Sequence, residues 1–163
     1  MKYGLTMVFG LVLGIAPHAQ AQQLELWGTA GGWEVLIDPS LGDGCLIQAE
    51  YNDGSVVRIG FDRLEGGAYV TVFNDAWGDI EEDAIYPISF SLDGQVYDGE
   101  AVGIYLENIP GADIAFTNAD FLWDIAKRYT MTLYSEEGEV MSIDLDGSYV
   151  GLEAALECQD EVG

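Results

Sequence analysis

Cys45-Leu46-Ile47-Gln48-Ala49-Glu50-Tyr51, Asn52-Asp53-Gly54, Ser55-Val56-Val57-Arg58-Ile59-Gly60-Phe61: two apolar runs joined by an Asp-Gly turn set the character of this chain. The glycine accepts the positive φ of a tight turn, and the flanking runs carry the β-branched residues that favour strands, so the segment reads as a β-hairpin. The same pattern recurs on both sides. Upstream, Trp33-Glu34-Val35-Leu36-Ile37-Asp38 reads as a strand stopped by Pro39. Downstream, Glu65-Gly66-Gly67 turns the chain into Ala68 to Phe73, where Tyr69, Thr71 and Phe73 share one face and Val70 and Val72 the other.

Ile85 to Leu92 is a further strand, and its Pro87 argues for an edge position or a strand start because proline cannot donate to a ladder. Asp93-Gly94 marks the next turn. Val96-Tyr97 and Ala101 to Leu106 follow as separate short strands, with Asp98-Gly99 read as a turn between them. Tyr129 to Tyr134 and Glu139 to Leu145 form a last hairpin around Glu136-Glu137-Gly138.

Two segments break this pattern. Asn118 to Arg128 has helical spacing, with Asn118 placed to cap it, Phe121, Leu122, Ile125 and Ala126 on one face, and Lys127-Arg128 at its end. Tyr149 to Cys158 is a closing helix for which Ser148 is the natural cap. The expected fold class is mainly β: an antiparallel sandwich or a curled sheet with two short helices.

The first 21 residues stand apart. Lys2, an unbroken apolar run to Ile15 and Ala19-Gln20-Ala21 have the order of a secretory signal peptide. The run is too short for a membrane span of roughly 20 residues, and no lipid-bearing cysteine follows the cleavage site. Residues 1-21 are therefore read as a signal peptide and residues 22-163 as a single acidic β-rich domain. The expected destination is the periplasm or the medium, with no membrane anchor. The oligomeric state is not legible.

Charge narrows the partners. The chain has 29 acidic and 5 basic residues. Loss of Lys2 leaves 4 − 29 = −25 for residues 22-163. Phosphate backbones are repelled, so no nucleic acid is expected, whereas a cationic protein or peptide is a fitting partner. Such a surface also keeps an exported protein soluble with no partner at all. The single histidine, His18, falls in the signal segment, so His-based nucleophile systems and imidazole metal sites are excluded from the mature chain. No cofactor is expected.

Two cysteines in an exported chain read as a disulfide, Cys45 to Cys158, tying nearly the whole domain into one loop. Ser142, Asp144, Asp146, Gly147 and Glu153 have part of the spacing of an EF-hand calcium loop, which makes Asp144, Asp146 and Glu153 an alternative metal set. The preceding segment reads as a strand, however, so a strand ending in an Asp-Gly turn is preferred and no metal is assigned. Asp79, Glu81, Glu82 and Asp83 form the densest acidic cluster, in the loop 79-83, readable as a cation site or as a solvated loop. Among the tryptophans, Trp33 and Trp123 read as core and Trp77, beside Gly78, as the exposed one.

The run from Met141 to Cys158, with its Ile143-Asp144-Leu145-Asp146-Gly147 centre, and the early Gly32-Trp33-Glu34-Val35 resemble exported alphaproteobacterial proteins related to invasion-associated locus B. The resemblance implies a periplasmic β-rich domain, sometimes linked to host-cell invasion, without an established catalytic activity and with no functional residue to carry over. This chain has sparser cysteines and is far more acidic than that family. The leading functional expectation is an exported soluble binding domain, not an enzyme, that takes a basic protein or peptide; blocking a cationic cell-wall hydrolase is one concrete form of it. The alternatives are a glycan hydrolase built on a pair of carboxylates and a calcium-binding domain.

Overall fold

The structure, a computed structural model, describes residues 23–163. The signal peptide read over 1-21 lies outside the described residues. Ten strands make one antiparallel sheet. In chain order they are β1 (Glu25–Ala30), β2 (Trp33–Asp38), β3 (Gly44–Glu50), β4 (Val56–Asp62), β5 (Gly67–Phe73), β6 (Ile85–Leu92), β7 (Gln95–Leu106), β8 (Ile109–Phe116), β9 (Thr130–Ser135) and β10 (Gly138–Asp144). The helices are α1 (Phe121–Ala126) and α2 (Ser148–Val162). Across the sheet the order is β1-β2-β3-β4-β5-β8-β7-β6-β9-β10.

Strand alternation separates two faces. Val35, Ile47, Val57, Ile59, Val70, Val72 and Ile114 point to one side and share a core with Leu92, Met131 and Ile143 from the far strands and Leu152 and Ala155 from α2. Residues from both ends of the strand order meet in one cluster, so the sheet is curled. The curl brings the end of β10 onto β2 and β3: Trp33 Nε1 donates to Asp146 O at 2.9 Å and Tyr51 Oη donates to Asp144 O. At this junction Gly31 and Gly147 both have positive φ and press backbone against backbone, so a Cβ on either would strike the other's carbonyl oxygen. The helix α2 lies across β1, β2 and β3. It is held by the disulfide Cys45–Cys158 (Cα–Cα 6.2 Å) and by Gln159, whose Oε1 accepts from Cys45 N at 3.0 Å while Nε2 donates to Asp43 O at 3.2 Å.

The sheet is also forked. The β7–β8 ladder stops at Val102–Asp113, yet β7 stays paired to β6 down to Gln95 and β8 stays paired to β5 up to Phe116. Phe90, Tyr97, Phe116 and Phe121 of α1 pack against one another beside the split, with centroids 5.1 to 6.2 Å apart. No helix among the described residues is long and apolar enough to cross a membrane.

Several elements differ from their sequence reading. Val96 to Leu106 is one strand, because β6 pairs continuously along it, with Ile88 opposite Gly99 and Ser89 opposite Asp98. Strand β6 is interior in the order, but β9 pairs only with Ser89 to Leu92, which leaves Pro87 where no β9 partner needs its N–H. The first helix is shorter than Asn118 to Arg128. Asn118 Oδ1 accepts from Asp120 N at 3.0 Å in a turn before the helix and does not cap it. Gly147, not Ser148, occupies the cap position of α2, and the Ser148 hydroxyl is buried without a partner.

Candidate functional site

The curl leaves an uncovered stretch on its inner face, away from α2. Ile88, Ala101, Ala112, Ile114 and Leu133, from four adjacent strands, line a trough of about 560 Å³ together with Trp77 and Tyr86. Asp79, Glu136 and Glu137 stand at its rim. The apolar lining follows from period-two alternation: the inward positions Ile88, Ala101, Ala112, Ile114 and Leu133 are apolar, Ser135 at the end of β9 being polar.

The wall bearing Trp77 and the acidic loop is pinned. Asn74 Oδ1 accepts from Ala76 N at 2.8 Å, which sets a short 3-10 turn, Asp75–Trp77. Tyr105 Oη donates to Ile80 O at 2.8 Å and accepts from Ile80 N at 3.1 Å, and Tyr86 Oη accepts from Glu81 N at 2.9 Å. Asp83 N donates to Gly103 O and Gly103 N to Ala84 O, each at 2.9 Å. The acidic cluster 79-83 is therefore anchored to β6 and β7, and its exposed side chains project from a fixed backbone. Trp77 is half-buried against the core.

A second concavity of about 560 Å³ lies on the opposite face of β4, β5 and β8. Register builds a polar row into it: Glu34, Gln48, Arg58, Thr71 and Asp113 stand directly opposite one another across five neighbouring strands, and the last three line the concavity. Gln48 Nε2 donates to Glu34 Oε2 at 3.1 Å, Arg58 Nε donates to Gln48 Oε1 at 2.8 Å, and Thr71 Oγ1 donates to Asp113 Oδ1 at 2.6 Å. The Arg58 guanidinium lies 5.3 Å from the centre of the Phe73 ring.

Burial governs the charges here. It lowers the pKa of Arg58, against the raising effect of Tyr69 and Asp38. Burial raises the Asp113 carboxyl, partly offset by the Thr71 hydrogen bond, with the Asp62 charge adding to the rise. The Tyr69 hydroxyl is pushed up by burial first and by Asp38 next. Tyr69 sits with Leu36 and Leu46 in a small second core on this face, its ring lying over Gly60, where a Cβ would not fit.

The expected site residues fall as follows. Cys45 and Cys158 are bridged. Asp144 ends β10, Asp146 lies in the turn after it and Glu153 is exposed on α2. Asp144 Oδ1 is engaged by Asp146 N at 3.0 Å, so it serves the turn. Among the described residues no three His, Cys, Asp or Glu side chains gather in a way that could hold a metal ion. The acids in the outer groove, Asp38, Asp62, Glu65 and Asp113, meet part of what a glycan hydrolase requires: carboxyls on a concave surface, one with a raised pKa. Trp33 is core; Trp123 is half-buried and packs edge-on to Tyr149 at 5.5 Å. Sequence reasoning did not reach the outer groove, because its row depends on cross-strand register. Compared with protein-family models, with curated proteins and with solved structures, the chain gives no significant match in any of the three.

Proposed function

We propose that this protein is an exported, soluble binding domain, periplasmic or secreted, that holds a cationic peptide segment of another protein in the trough beside Trp77. The observation that carries this reading is the pairing of an apolar floor with a fixed acidic rim, Asp79 on one wall and Glu136 and Glu137 on the other. An apolar side chain of the partner fills the trough, and lysines or arginines on either side meet the carboxylates. Burial supplies affinity, and the excess of acids over bases accelerates encounter. The disulfide supports an oxidising destination. The resemblance at the two ends of the chain accords with a periplasmic role without catalysis.

The test is a fluorescence titration with a lysine-rich peptide carrying one leucine or phenylalanine, at low and high salt. Binding is expected to change the tryptophan emission, with the change absent in Trp77→Phe, to weaken as salt screens the rim, and to disappear in Glu136→Lys/Glu137→Lys. Affinity indifferent to both salt and charge reversal overturns the reading. Mass spectrometry of protein from its native host tests export; an unprocessed N-terminus with both thiols free overturns that part.

A further inference from the structure

We infer that the outer groove over β4, β5 and β8 is a second binding site, for a small zwitterion: a molecule with a carboxylate at one end and an ammonium group at the other. The inference stands apart from the trough, which opens on the other face of the sheet.

Arg58 is the starting point. In a chain with 29 acids and 5 bases, a half-buried arginine lining a groove is a costly placement, because burial disfavours its charge. Its position is fixed on two sides. Gln48 holds Nε, itself anchored by Glu34, and the Phe73 ring lies beneath the guanidinium. The Nη groups are the part of the side chain left for the groove that Arg58 lines. A planar, pre-aimed pair of donors matches a carboxylate in two parallel hydrogen bonds.

The surroundings decide what else the ligand carries. Asp38 and Asp62 line the same groove, with Asp113 opposite Thr71 on the floor. A simple anion would meet these carboxylates and the field of the whole molecule. A simple cation would face Arg58. A zwitterion satisfies both: its carboxylate takes Arg58, and its ammonium takes Asp38 or Asp62. The volume, about 560 Å³, lies within the range of small-molecule sites and accommodates a ligand of amino-acid size.

The experiment is calorimetry of the oxidised protein with three matched probes: 6-aminohexanoate, which has both charges, hexanoate, which has only the carboxylate, and hexylamine, which has only the ammonium group. Amide NMR shifts of Thr71 and Asp113 report the location. The zwitterion is expected to bind at least about tenfold more tightly than either single-charge analogue, consistent with the worth of one charge-assisted contact, and to shift both amides. Arg58→Gln is expected to abolish that preference and leave hexylamine as the better ligand, while Arg58→Lys restores part of it. If Arg58→Gln does not fold, the probe ranking and amide shifts in the unaltered protein still decide. Equal affinity for all three probes, no binding of the zwitterion, or binding with the Thr71 and Asp113 amides unmoved overturns the inference. The Trp77-dependent part of the emission, taken as the difference from Trp77→Phe, reports the trough and is expected to stay constant throughout, so failure at one site is distinguishable from failure at the other.

Discussion

Breaking the Cys45–Cys158 bridge is the most quantifiable perturbation of this fold. The cysteines are 113 residues apart, and the loop-entropy relation for that span gives about 4.8 kcal/mol at 25 °C. Against the roughly 5–15 kcal/mol that holds a typical domain together, the loss is a large fraction. With about 2.1 cal/mol/K of unfolding entropy per residue, a domain of this length is expected to melt about 15 °C lower. Most of the effect belongs to the unfolded chain. In the native state α2 keeps Leu152 and Ala155 in the core and Gln159 on Cys45 N and Asp43 O, so the helix is expected to stay docked. The assay is urea unfolding of the oxidised protein and of the Cys45→Ala/Cys158→Ala double variant, followed by circular dichroism. The double variant is expected to have a lower midpoint and a steeper dependence on urea, because an untied chain exposes more surface. If the two proteins differ by less than about 1 kcal/mol with equal slopes, the loop argument is wrong.

Three further outcomes follow from local geometry. Gly147→Ala and Gly31→Ala each drive a Cβ into the partner's carbonyl oxygen at positive φ, so each is expected to cost more than about 3 kcal/mol by thermal melting; Gly32→Ala, with no atom within 4 Å of its Cβ, is expected to cost about 1 kcal/mol from backbone strain alone. Ser148→Ala removes a buried hydroxyl that has no partner and is expected to raise stability by about 1 kcal/mol in the same assay. Asp113 has its pKa raised above 3.8 in the folded state, chiefly by burial. Its protonation therefore favours folding at low pH, and that contribution is lost as pH rises through the folded pKa. Asp113→Asn keeps an acceptor for Thr71 and cannot ionise, so its stability relative to the unaltered protein is expected to climb with pH from near 3.8 and level off above the folded pKa. A pH-independent difference between the two would exclude ionisation as the cause.

Strands whose side chains alternate cleanly were readable in advance, and Trp33 to Asp38 and Ile85 to Leu92 match their expected bounds. Strand β1, with Gly28 and a bulge between Leu26 and Gly28, offers no such alternation. Strand β8, interrupted by Pro110 and Gly111, hides the same way, and its place between β5 and β7 is set by tertiary pairing. The Asp98-Gly99 pair has turn chemistry but lies within a ladder that overrides local preference. Trp77 and the acids 79-83 were visible as neighbours in sequence. That Glu136 and Glu137 face them across an apolar floor is a product of the curl, and no local pattern encodes it.

The strand order has a consequence for the birth of the fold. Strand β5 leaves one edge bare until Gly111 to Phe116 arrives to zip against it, after β6 and β7 have been laid down as a detour. The first three strands wait longer still, for the C-terminal helix that roofs them. The core that β1, β2 and β3 share with Leu152 and Ala155 is therefore complete only when α2 docks, which places the closing contacts of the fold at large sequence separation.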